Sequence, residues 1–143
     1  MDAPTMLDHG LEIWRGRAVN AWTALFTEET RIESPGMEMR GVAGALGFWS
    51  LCQDAFPDNQ VEQRALFGSG RFGTLEGIFV GMHQATLHSS IGPIGATGRV
   101  IRLPFSSVAE CVGDQFLTLR LYCDMLELVM QLGLVSRPSE FRV

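Results

Sequence analysis

Apolar residues recur at three- and four-residue intervals from Pro4 to Phe26, at Leu7, Leu11, Trp14, Ala18, Ala21, Trp22 and Leu25. This spacing predicts one bent helix or two short ones, with Gly16 as the break. Thr30 to Glu33 reads as a short strand that ends in the turn Ser34-Pro35-Gly36, and a polar arm continues to Arg40. Val42 to Phe56 returns to helical spacing, with Val42, Ala45, Leu46, Trp49 and Ala55 on one side and Pro57 as the stop.

From Val61 onward the period changes to two. Val61–Phe67, Arg71–Ala85, Gly98–Val112 and Gln115–Asp124 read as strands. They are separated by Gly68-Ser69-Gly70, by a Gly/Pro-rich loop from Ile91 to Thr97, and by Gly113-Asp114. Helices followed by a meander of long strands predict an α+β fold. Strands of about 12 residues exceed the usual five or six and must twist and coil. The expected shape is a cone, a curved antiparallel sheet wrapped around the N-terminal helices with an apolar pocket inside.

The last strand changes period within itself. Leu117, Leu119, Leu121 and Cys123 alternate with Phe116, Thr118, Arg120 and Tyr122, and after Asp124 the apolar positions Leu126, Val129, Met130 and Leu134 take helical spacing up to Gly133. Asp124 therefore stands where a strand becomes a helix. Two roles are open to it: a cap for the helix N-terminus, or a carboxylate that faces the pocket together with Arg120 and Tyr122.

Composition narrows the function classes. At 143 residues, with 46% hydrophobic and 19% charged residues, positions 1–143 are expected to form one domain with a well-filled core. A net charge of -5 and 11 scattered basic residues disfavour a nucleic-acid partner. The three cysteines, Cys52, Cys111 and Cys123, form no CxxC pair, which suggests neither a disulfide framework nor a zinc cage. Asp2, Asp8 and Glu12 near the start do not suit a secretory signal, and no run approaches the roughly 18 apolar residues of a membrane span. A cytoplasmic protein without membrane contact is the expectation. Phosphate-binding loops and metal-ligand spacings are missing, so no metal, flavin or nicotinamide is expected.

Within the pocket, His83 at the end of the Arg71 strand is the candidate imidazole for proton transfer, or else a hydrogen-bonded structural residue. Trp14, Trp22, Trp49, Phe56 and Phe79 are candidate walls for a flat apolar ligand, together with His88 just beyond His83; the spacing of the tryptophans favours core as their first role. Both faces of the later strands are apolar, with Val100, Val108 and Val112 opposite Ile101, Leu103 and Phe105. A homodimer through the outer sheet face is therefore expected.

Five short motifs occur in order: Met37-Glu38-Met39-Arg40-Gly41, Phe56-Pro57-Asp58, Gly81-Met82-His83, Gly95-Ala96-Thr97-Gly98-Arg99, and Tyr122-Cys123-Asp124 followed by Gln131-Leu132-Gly133. Together they resemble the SnoaL-like polyketide cyclases of the nuclear transport factor two-like superfamily of α+β cones, over nearly the whole chain. The resemblance implies a cofactor-free acid-base enzyme acting on an apolar aromatic or polycyclic carbonyl or hydroxyl compound. The reaction would be an aldol-type cyclisation, or a related isomerase, dehydratase or retro-aldol lyase step. Asp124 and His83 would move protons, and Tyr122 or Arg120 would steady a developing oxyanion. The fold also hosts non-catalytic binding and assembly modules, and a binding module needs only the apolar cavity.

Overall fold

The computed structural model describes residues 1–138. The chain runs α1 (Ala3–Arg15), α2 (Val19–Thr23), β1 (Phe26–Ser34), β2 (Met37–Arg40), α3 (Gly41–Ala55), β3 (Gln60–Ser69), β4 (Phe72–Met82), β5 (Leu87–Ser89), β6 (Gly92–Ile94), β7 (Val100–Val112), β8 (Gln115–Cys123) and α4 (Met125–Gln131). Asp2 caps α1 by accepting the Thr5 N–H at 3.0 Å, and Pro4 sits in the first turn where its missing donor is not needed. The Ala3 N–H donates to Gly70 O at 2.8 Å, tying this helix to the β3–β4 turn.

The break between α1 and α2 falls where the spacing placed it, but Gly16 keeps ordinary helical backbone. Arg17 takes the left-handed conformation, at φ 57°. Its guanidinium holds it there by donating to Gln53 Oε1 and, at 2.7 Å, to Asn59 O.

The main sheet has six strands in the order β2-β1-β8-β7-β4-β3. All neighbours are antiparallel except β1 and β8, which pair in parallel: β1 arrives from the helices and joins the free edge of the last strand. The segment expected as a polar arm is strand β2, paired with β1 from Arg31–Arg40 to Ser34–Met37. The Gly/Pro-rich loop contains one strand of a separate ribbon, β5–β6, and β4 stops at Met82 rather than Ala85. Pairings of three or four residues are too short to leave a periodic signal.

Three slips in register curve the sheet. The first lies between Gln63 and Ala65 of β3, the second at Leu117 of β8, opposite the step from Glu110 to Cys111, and the third between Phe26 and Arg31 of β1, where it pairs with β8. The second slip makes Phe116, Leu119, Leu121 and Cys123 face inward together. Gly77 deepens the concavity, because a Cβ there would lie 2.9 Å from Cζ of Phe105, the ring that now lies across it.

The concave face packs on α1, α2 and α3 through Trp14, Trp22, Trp49, Phe26 and Phe116, and on α4 through Leu128 and Leu132. Each large apolar side chain taken fully out of water contributes about 1.5–3 kcal/mol. No helix among the described residues is long and apolar enough to cross a membrane.

Candidate functional site

The helices do not fill the cone. A cavity of about 190 Å³ remains, walled by Leu7, Leu11, Trp14 and Trp22 from the N-terminal helices, by Phe48, Leu51, Cys52 and Phe56 from α3 and its end, and by the inward residues of β3, β4, β7 and β8. Met125 and Leu128 of α4 close one flank. No Asp, Glu, His or Arg belongs to the lining among the described residues. Its polar groups are serine hydroxyls, two thiols and two indole N–H groups, and the indoles are already engaged. Trp14 Nε1 donates to Asn59 Oδ1 at 2.9 Å and Trp22 Nε1 to Ala45 O at 3.0 Å.

Behind Trp14 lies a buried polar network. Asn59, 3% exposed, accepts from Trp14 and donates through Nδ2 to Gln53 Oε1 and Phe56 O, both at 2.8 Å, while Arg17 reaches Gln53 and the Asn59 carbonyl. This network fixes an indole that forms part of the cavity wall.

The structure corrects the expected placement of Arg120, Tyr122 and Asp124. Inward and outward residues alternate along β8, and Leu119, Leu121 and Cys123 line the cavity, so the three polar residues lie on the other side. Tyr122 is 56% exposed, next to Ser106 on the outer face. Asp124 is solvent-exposed and caps α4, accepting the Glu127 N–H at 3.1 Å. The expectation gathered polar side chains into the pocket, whereas the inward face of this strand is its hydrocarbon face.

The other expected residues divide. Trp14, Trp22, Phe56 and Phe79 line the cavity. Trp49 does not; it packs edge-on against Trp14 at 5.2 Å and tilted against Trp22 at 5.8 Å as core. His88 points to solvent from β5, and its neighbours Leu87 and Ser89 line the cavity instead.

His83 is fully buried one layer behind the wall. Its ring packs on Phe56 at 5.4 Å between centroids, and Phe56 meets Phe79 edge-on at 5.4 Å. The backbone N–H of Thr97 donates to Nδ1 at 3.1 Å, and Thr97 Oγ1 lies 3.0 Å from the same nitrogen. A neutral imidazole that accepts at Nδ1 carries its proton on Nε2. That nitrogen is buried and has no hydrogen-bond partner among the described residues.

The thiols keep the cavity uncharged at neutral pH. Burial, with a smaller contribution from Cys123, pushes the Cys52 thiol up to about 12, and burial followed by the Asp124 charge raises Cys123. Among the described residues no cluster of three or more His, Cys, Asp or Glu side chains could hold a metal ion.

The mouth is set by two turns. Ser34, Pro35 and Met37 flank the β1–β2 turn, Ser89 and Ser90 flank the β5–β6 turn, and Ser90 is the exposed residue of the lining. Gly36, at φ 73°, touches Ser90 so closely that a Cβ would lie 2.7 Å from its Oγ. A side chain there would push the two tips apart. Several lining residues escape a search for polar motifs: Ser107, Cys52, Phe105, Phe116, Leu119 and Leu121. Their signal is alternation itself, read on the apolar face.

Solved structures share this architecture. A proposed polyketide cyclase from Xanthomonas campestris aligns with a TM-score of 0.77 at 17% identity, covering 90% of this chain and 94% of that one. IdmH, a proposed polyketide cyclase from Streptomyces antibioticus, aligns with a TM-score of 0.71 at 19% identity, over 92% and 99%. A protein of ketosteroid isomerase-like fold from Catenulispora acidiphila, solved with trimethylamine, gives 0.74 at 14% identity over 100% of both chains. At these identities the likeness is one of fold. None of the curated proteins matches the chain. The sequence pattern of the SnoaL-like domain does match, over residues 8–117, and together with a cone of helices and curved sheet around an apolar cavity it places the chain in the SnoaL-like family.

Proposed function

We propose that this protein encloses a small, largely apolar carbonyl or hydroxyl compound inside the cone. The observation that carries the reading is the lining: hydrocarbon and aromatic walls with a few hydroxyls and thiols held protonated. Its volume of about 190 Å³ supports a compound of one ring or a compact pair. An engineered apolar cavity of about 150 Å³ takes benzene, whereas sites for drug-sized molecules span about 300–1,000 Å³. A polycyclic substrate would have to displace wall residues. The test is an NMR titration with acetophenone, following the methyl groups of Val61, Leu103, Leu119 and Leu121. Saturable shifts confined to cavity methyls are expected, and their absence up to the solubility limit would refute the reading.

The unpartnered Nε2 of His83 favours a second reading, in which the bound carbonyl compound is turned over by proton transfer. Phe56, which packs on the His83 ring, lines the cavity whereas His83 does not, so on this reading turnover requires the wall to open toward the imidazole. His83→Asn keeps an acceptor for Thr97 and removes the Nε2 proton. On this reading, wild-type protein in heavy water exchanges the methyl hydrogens of acetophenone, and the variant slows that exchange about a hundredfold. Equal rates in the two proteins would exclude His83.

The functional unit is proposed to be a homodimer through the outer face of the sheet. Phe67, Phe72 and Tyr122 are 59%, 55% and 56% exposed on that face, apolar surface that an isologous contact would cover. Light scattering should give twice 15.8 kDa at micromolar concentration, and a mass of 15.8 kDa would contradict the dimer.

A further inference from the structure

Across the inner wall of the sheet, one transverse row reads Leu66, Leu75, Ser107, Leu121. The third position is a hydroxyl in a row of leucines. Ser107 belongs to the lining and is half-buried on a face packed over by helices, so its exposure is exposure to the cavity. Its Oγ has no hydrogen-bond partner among the described residues, and the backbone of this part of β7 pairs with β4 and β8 on either side. The remaining serines of the lining, Ser34, Ser89 and Ser90, stand at the mouth, and Ser89 Oγ already donates to Gly92 O at 2.6 Å. Both indole N–H groups are engaged elsewhere. The protonated thiols of Cys52 and Cys123 are weak donors.

We propose that Ser107 is the residue that orients the ligand, donating its hydroxyl hydrogen to a carbonyl oxygen midway along an otherwise hydrocarbon molecule. The inference rests on the reading of the cavity as a binding site. A ligand that fills the cavity strips water from this hydroxyl, and the hydroxyl then discriminates strongly in favour of a ligand that supplies an acceptor. The wall then selects for shape, and this single donor selects for the position of one oxygen. A ligand with an acceptor at the height of Ser107, flanked on both sides by apolar groups facing Leu75 and Leu121, is the class it fits.

Acetophenone and α-methylstyrene have nearly the same shape, and they differ in whether an oxygen or a methylene ends the double bond. Their affinities for wild-type protein, Ser107→Ala and Ser107→Cys are compared by the methyl NMR titration. Ser107→Ala should weaken acetophenone about tenfold, the scale of a buried neutral hydrogen bond, and leave α-methylstyrene unchanged or tighter. Ser107→Cys, close in shape and a poorer donor, should fall between and covers the case in which the alanine variant does not fold. If both compounds bind wild-type protein and neither variant weakens acetophenone selectively, Ser107 is not the anchor and the cavity reading stands. If neither compound shifts any cavity methyl of the wild-type protein, the cavity reading fails and takes the anchor with it.

Discussion

Leu121→Trp is expected to abolish uptake of acetophenone while leaving the protein folded. Leu121 lies on the inward face of β8 beside Ser107, and its side chain is half-buried because it borders the cavity. An indole at this position projects into the space that a ligand ring would occupy. A ring that buries about 150 Å² at about 25 cal/mol per Å² contributes roughly 4 kcal/mol, so excluding it weakens binding about a thousandfold. The same indole fills unoccupied apolar volume, so the melting temperature should hold or rise, the usual outcome when stability is gained at the expense of a binding site. The comparison needs only a melt and the acetophenone titration on both proteins. A folded variant that binds like wild type would show that the ligand sits elsewhere.

The second large effect falls on stability. Asn59→Leu retains approximate size and removes both the acceptor of the Trp14 N–H and the donor to Gln53 and Phe56. The indole N–H is then left buried without a partner, at about 1–3 kcal/mol, and Gln53 Oε1 retains only Arg17 as a donor. A total near 3 kcal/mol corresponds to a fall in melting temperature of roughly 10 °C for a chain of this length. Circular dichroism melts check it. A fall of only a degree or two would mean that the network is dispensable and that Trp14 is held by packing alone. Because Trp14 lines the cavity, acetophenone affinity should fall along with the melting temperature.

Much of the fold was legible from periodicity, and the misses have physical causes. The long strands and both large helices announce themselves because each buries one face over many residues. β2, β5 and β6 are too short for that, and the parallel pairing of β1 with β8 is a contact between distant segments that leaves no local mark. For the site, Trp14, Trp22, Phe56 and Phe79 could be read as walls because large aromatic residues dominate any small apolar cavity. Arg120 and Tyr122 share a face of β8, and Asp124 follows the strand as the cap of α4. The error lay in assuming that the polar face is the functional one. Ser107 was hidden by its neighbour: two successive serines offer no contrast between faces, and only its parity with Leu103 and Phe105 assigns it inward.

The slip at Leu117 has an evolutionary reading. Side chains of a strand are sorted by count alone, and beyond Leu117 the count delivers Leu119, Leu121 and Cys123 to the cavity and Arg120, Tyr122 and Asp124 to the outside. Adding or losing one residue at such a bulge exchanges the two sets without altering a single side chain. A hydrocarbon wall would become one carrying a guanidinium, a phenol and a carboxylate. In this chain, one residue gained or lost in the last strand would turn a wall that holds its ligand into one that titrates against it.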